Sequence, residues 1–222
     1  MNISEINRKI IEFWKSQDVS KRVPLIYSDE LVQNALLFIG MNPSFSVKGY
    51  KSILRGTPYA HIQDLEEYFL FKNYTEDKLK AFSDIYKISK DTYQYFNKFR
   101  ELSRDLKCEW EHIDLLYMRD TNQKIVEKLF VKNEPFINYQ IDLTIHLIKK
   151  LTPKIIIIEN AFVSKILKSK LELVWHEEIG TYLFNNNIPV FLSGMLTGGR
   201  ALDLGSLERL KWHLSFVLKQ IN

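Results

Sequence analysis

Cysteine is nearly missing from this chain: Cys108 is the only one in 222 residues. A single thiol excludes an internal disulfide, a zinc site built from several cysteines and an iron–sulfur cluster held by four cysteines of one chain. It fits a reducing, cytoplasmic setting. Long apolar runs are missing too, since no segment approaches the ~20 apolar residues that span a bilayer. The N-terminus, MNISEINRKIIEFWKSQD, mixes acids with bases and lacks the apolar stretch of a signal peptide. The expectation is a soluble protein with no membrane partner.

Charge of one sign is also lacking. Lys and Arg number 31 against 27 Asp and Glu, a net charge of +4, which permits an anionic partner without demanding one. Metal-ligand spacing is absent: His176, Glu177 and Glu178 are adjacent in sequence, whereas a metal needs ligands converging on one side, as in an i, i+4 histidine pair. We expect neither metal nor cofactor. Proline and glycine are scarce, 6 and 8 in all, and no internal repeat or low-complexity linker interrupts the chain.

What is present is apolar: 45% of the residues are hydrophobic, enough to bury one substantial core, so a single domain over residues 1–222 is expected. Four short apolar runs read as buried strands, ALLFIG (35–40), HIDLLYM (112–118), KIIIIE (154–159) and PVFLSG (189–194). TYLF (181–184) reads as a fifth, joined hairpin fashion to the last by NNN (185–187). Helical spacing predicts an amphipathic first helix behind a Ser4 cap, helices at about 134–151 and 161–170, and a C-terminal helix at 206–219 behind Ser206. The aromatic and charged stretch 64–110 reads as helical and partly exposed. Alternating strands and helices imply an α/β fold, three-layer α/β/α, with a central, mostly parallel sheet of four or five strands. Ligands bind such sheets outside the carboxyl ends of the strands. The loops after 40, 118, 159 and 194 are therefore the ones that matter.

The first of these is FIGMNPSF (38–45). Pro43 fixes its own φ and biases Asn42 away from helical backbone, so the Asn42 amide stands on a stiff turn at the sheet edge, where it either orients a water or ligand or caps the next segment. RGTPYAH (55–61) follows, in which Gly56 and Pro58 present Tyr59 as a stacking platform or as a core aromatic with a wet hydroxyl.

FIGMNPSF followed by GTPYAH resembles the first motif of the uracil-DNA glycosylase superfamily, most closely its mismatch-specific and single-strand-selective branches. In these, a Gly-x-Asn-Pro loop is followed by a Phe or Tyr in a Pro-aromatic turn. HIDLLYMRD stands where that family has a strand ending in a base-reading Asn. TPKIIIIENAFVSKIL looks like its strand and helix after Pro-Lys, and VFLSGMLTGGRALD takes the place of its closing His-Pro-Ser or Asn-Pro-Ser loop. The similarity in order and spacing runs over roughly residues 33–218, and the first motif is the close one.

The resemblance implies a uracil-DNA glycosylase-like domain of base excision repair that flips a nucleotide from DNA and hydrolyses its N-glycosidic bond; a monomer is expected. Carried over, Asn42 and Asp114 are the catalytic residues, and Gly40, Met41, Tyr59 and Asp114 bind the base. Ser44, Met195, Leu196, Thr197, Gly198 and Arg200 contact DNA, with Met195 and Leu196 as an apolar wedge and Gly198 and Gly199 letting backbone approach a phosphate.

Two departures reshape that expectation. Asp114 replaces the reading Asn, and an ionised Asp accepts only, so it would repel a uracil O4 and favour an exocyclic amine. It reads such an amine, or donates as a buried neutral acid, or pairs with Arg119 or backbone. Met195 replaces the closing His or Asn, and a thioether cannot donate to a departing base. Efficient uracil removal is therefore not expected. The alternatives are a non-catalytic nucleic-acid-binding protein of the same fold and an enzyme acting on a free nucleotide or nucleoside.

Overall fold

The computed structural model describes residues 2–17, 21–120, 122–132 and 134–221. In chain order its helices are α1 (Ile3–Lys15), α2 (Val47–Leu54), α3 (Leu65–Tyr68), α4 (Lys78–Thr92), α5 (Asn97–Leu106), α6 (Gln123–Lys132), α7 (Glu134–Leu151), α8 (Ala161–Lys170) and α9 (Leu204–Ile221). Its strands are β1 (Leu36–Gly40), β2 (Trp110–Asp114), β3 (Ile155–Ile158), β4 (Val174–His176), β5 (Thr181–Phe184) and β6 (Ile188–Leu192). The chain folds into two compact units, each assembled from three separate stretches: residues 1–31, 42–93 and 114–147 form the first, and 32–41, 94–113 and 148–222 the second. No helix among the described residues is long and apolar enough to cross a membrane.

The first unit is largely helical. In α1 the residues Ile6, Ile10, Ile11 and Trp14 recur at helical spacing and are buried. The cap is Asn2, not Ser4: the Asn2 side chain accepts from the Glu5 N–H at 2.7 Å and the Glu5 carboxylate returns to the Asn2 N–H, a reciprocal capping box of the kind in which the cap stabilises by about 1 kcal/mol. The apolar run expected as a strand to 118 leaves the sheet at Asp114. Residues 115–118 stay buried, but α7 side chains, together with the Leu25 N–H that donates to the Tyr117 carbonyl at 2.7 Å, meet backbone groups in place of a neighbouring strand. Gln140 accepts from the Tyr117 and Met118 N–H groups, and the Thr144 hydroxyl donates to the Asp114 and Leu115 carbonyls.

The second unit carries the sheet, in the order β2-β1-β3-β6-β5-β4. β1 pairs parallel with β3 (Leu36 opposite Ile155, Ile39 opposite Ile158), and β3 pairs parallel with β6. Continuous apolar sequence suits these strands because β1 and β3 are buried on both faces. β5 and β4 then add antiparallel. Asn185 and Asn186 make the β5–β6 connection with φ of 51° and 62°, the left-handed backbone that Asn tolerates better than most residues. The sixth strand, β4, lies outside the four or five expected: it is three residues long, too short for alternation to register in sequence. At the far end, Asp203 rather than Ser206 leads into α9, accepting from both the Ser206 N–H (2.9 Å) and its hydroxyl (2.6 Å).

The α/β class read from sequence therefore holds, with parallel strands at the centre of the sheet. From β1 the chain continues to β2 on one side, while from β3 it continues toward β6 on the other. This reversal makes the carboxyl ends of β1 and β3 the topological switch point, where an open α/β sheet leaves a crevice for ligands.

Candidate functional site

Asn42 opens the first unit's second stretch, two residues beyond β1. Its Nδ2 lies 2.8 Å from the Asp120 carbonyl, 3.2 Å from that of Met118 and 3.3 Å from that of Pro43. Two N–H donors thus face three carbonyl oxygens, which settles the amide orientation, because the flipped amide would set oxygen against oxygen. Oδ1 is left without a hydrogen-bonding partner among the described residues. A further bond, from the Asp120 N–H to the Pro43 carbonyl at 3.2 Å, ties the same two segments together. The result is a fixed acceptor on a half-buried side chain.

Between the two carbonyls of Met118 and Asp120 lies Arg119, whose side chain is buried (4% exposed). Its Nε donates to the Val23 carbonyl at 3.1 Å and its Nη1 to the Tyr50 hydroxyl, while the guanidinium lies 5.2 Å from the Phe69 ring centroid. Arg119 thereby anchors the segment that holds Asn42. Burial raises the Tyr50 hydroxyl above its ordinary value; Arg119 pulls it back and Asp114 pushes it further.

Asp114, 6% exposed, ends β2. The Tyr27 hydroxyl accepts from its N–H at 3.0 Å, so backbone hydrogen bonding fixes where it stands. Its charge is felt at Tyr50. Tyr59 is half-buried, and its hydroxyl donates to Asp84 Oδ2 on α4 at 2.6 Å. Burial first, then the Asp84 carboxylate, push the Tyr59 hydroxyl up to about 12. Ser44 is exposed.

The second unit holds the remaining predicted residues. Gly40 and Met41, at the end of β1, are buried. The loop 195–201 is closed by bonds from the Leu202 N–H to the Met195 carbonyl (2.8 Å) and from the Ala201 N–H to the Gly198 carbonyl (3.1 Å). Gly198 has φ +84°, a conformation that disfavours any side chain. Met195 is half-exposed and Gly198, Gly199 and Arg200 are exposed, whereas Leu196 is 3% exposed and turned into the core. Of the two wedge residues, only Met195 reaches the surface. Thr197 Oγ1 is shielded and has no hydrogen-bond partner among the described residues.

Sequence reasoning missed the group at the end of β3. Glu159 is 2% exposed. Its Oε1 accepts from the Tyr95 hydroxyl at 2.8 Å and lies 3.3 Å from His112 Nε2, and the His112 ring is met edge-on by Tyr95, Phe96 and Phe99. Glu159 Oε2 is buried without a hydrogen-bond partner, which costs about 1–3 kcal/mol, more if the group is charged. Tyr95 is 64 residues away in sequence, so no local spacing announces the cluster. The available signal was a carboxylate closing a wholly apolar strand at the sheet's carboxyl edge.

No family model matches the chain, and no curated protein matches it. The chemistry must therefore be read from the two constellations themselves. Among the described residues no three His, Cys, Asp or Glu side chains gather to hold a metal. Asn42 offers an oriented neutral acceptor, and Glu159 offers a fixed carboxylate oxygen.

Proposed function

We propose that this protein hydrolyses the N-glycosidic bond of a damaged or modified base in DNA, with Asn42 orienting the attacking water. The observation that carries the reading is the pinned Asn42 amide, whose three carbonyl neighbours take Nδ2 and leave Oδ1 as the atom without a partner among the described residues. A neutral oxygen suits this role, because it accepts one water hydrogen and directs the water oxygen at the anomeric carbon without needing to remove the proton first. The C1′–N bond breaks, the electron pair leaves with the base, water oxygen bonds to C1′, and the released proton passes to the base or solvent. The resemblance of FIGMNPSF and GTPYAH to the uracil-DNA glycosylase superfamily supports the same reading.

In this proposal, and by the same resemblance, Asp114 reads an exocyclic amine and Tyr59 and Ser44 serve base and DNA backbone in the first unit, while Gly40, Met41, Thr197, Gly198 and Arg200 are the residues of the second unit assigned to such contacts. Met195 supplies no donor for the departing base, so uracil is a poor substrate. The same residue favours a second reading, in which the protein holds DNA without cutting it.

An alkali-cleavage assay on oligonucleotides carrying uracil, mismatched thymine, hypoxanthine, xanthine and modified cytosines separates the two. The proposal requires abasic sites from at least one substrate and their loss in Asn42→Ala. Salt-sensitive binding with no abasic sites across the panel would establish the second reading instead.

A further inference from the structure

We propose that Glu159 is the recognition group of a binding site in the second unit that takes a planar heteroaromatic base through an exocyclic amine. Three observations converge on it. Glu159 follows β3 directly, at the switch point between β1 and β3, and its own N–H is held by the Ile39 carbonyl at 3.1 Å. Its Oε1 is engaged by Tyr95 and lies beside His112, so the plane of the carboxyl group is set before any ligand arrives. Its Oε2 is buried and lacks a hydrogen-bond partner among the described residues, a group that calls for an occupant.

The chemistry of that occupant follows. A carboxylate oxygen accepts, so the ligand must donate. Only Oε2, itself buried, lacks a partner, which fits a single N–H rather than the bidentate grip of a guanidinium. A metal ion would need further ligands, and no cluster of three potential ligands exists among the described residues. The cluster's other side chains are the half-buried Tyr95 and the buried Phe96 and Phe99, which meet His112 edge-on, so the carboxylate stands in an aromatic surround compatible with a flat ring. Taking the heterocycle as a nucleobase rests on the proposed function. Cytosine and adenine then carry the required amine, whereas uracil presents a carbonyl at the same edge and is repelled.

Glu159→Gln gives a test that a purely structural carboxylate would fail. Because the Tyr95 hydroxyl donates at the Oε1 position, the amide oxygen settles there and the NH₂ takes the place of Oε2. The group facing the ligand changes from acceptor to donor. In calorimetric titrations and thermal melts of the full chain, cytidine or adenosine should bind the parent protein and raise its melting temperature, while uridine should bind at least tenfold more weakly. Glu159→Gln should lose at least tenfold for the amine-bearing nucleosides and gain for uridine.

Tyr95→Phe, which leaves the carboxylate in place but frees its orientation, should weaken cytidine or adenosine binding several-fold, and it keeps the test usable if Glu159→Gln does not fold. Binding that prefers uridine in the parent protein, binding unaffected by both Glu159→Gln and Tyr95→Phe, or no response to any nucleoside would each overturn the proposal. Nucleoside binding that depends on Glu159 in a protein that forms no abasic sites would keep this site and remove the glycosylase reading. Abasic sites without Glu159-dependent binding would do the reverse.

Discussion

Asn42 and Glu159 both stand just past the carboxyl end of a buried parallel strand, yet the two regions are built by opposite means. Around Asn42 every donor of the amide is used, by carbonyls of Pro43, Met118 and Asp120, and the one unused atom is the acceptor Oδ1. Around Glu159 the carboxylate is half satisfied: Oε1 meets Tyr95 and His112, and Oε2 is sealed in without a hydrogen-bond partner. The first arrangement is rigid and leaves one acceptor open. The second stores an unmade hydrogen bond, a form of local cost that folded proteins keep where a ligand repays it.

Breaking the first region should have the largest effect. Asn42→Ala should lower the rate of base release by about 10²–10³-fold, the range for losing one positioned hydrogen-bonding group, with DNA affinity unchanged. Single-turnover kinetics beside a mobility-shift titration checks both halves. Next comes the platform under Glu159. Ile157 is fully buried in β3, and Ile157→Ala should destabilise the protein by roughly 2–5 kcal/mol in denaturant unfolding.

Arg119→Met sharpens the account of the clamp. It removes bonds to Val23 and Tyr50, and should cost about 1–3 kcal/mol of stability together with a rate loss that Arg119→Lys does not restore, because an ammonium cannot bridge both partners. The smallest effect concerns Tyr59. Its hydroxyl keeps its proton up to about 12 instead of the ordinary 10.0, so its contribution is complete below pH 10 and is lost as pH rises through about 12. The difference in melting temperature between the parent and Tyr59→Phe should be small and constant to pH 10 and shrink above it.

The contrast also explains what could be read in advance. Four apolar runs and TYLF announced five of the six strands because β1, β3 and β6 have no exposed face to force alternation, and Gly40 and Asn185 mark the ends of β1 and β5. Asn42 was legible because Pro43 beside it marks a stiff turn. What that amide touches was not, since Met118 lies 76 residues away and Asp120 78. Strand β2 was read four residues too long because burial of 115–118 looks the same in sequence whether a strand or the Gln140 and Thr144 side chains satisfy the backbone. Leu196 read as a surface wedge because its apolar character suits both a wedge and a core. The Glu159 cluster needs Tyr95, His112 and β3 brought together by sheet order, and no window of sequence contains all three.

The central claim is that Asn42 directs water at a glycosidic carbon, and the most direct check is to measure free-base release and abasic-site formation together on the oligonucleotide panel. The account predicts equal amounts of both from at least one damaged or modified base, and both formed about 10²–10³-fold more slowly in Asn42→Ala. Base release at an undiminished rate in Asn42→Ala, or DNA bound tightly by the parent protein with no base released from any substrate, would contradict it.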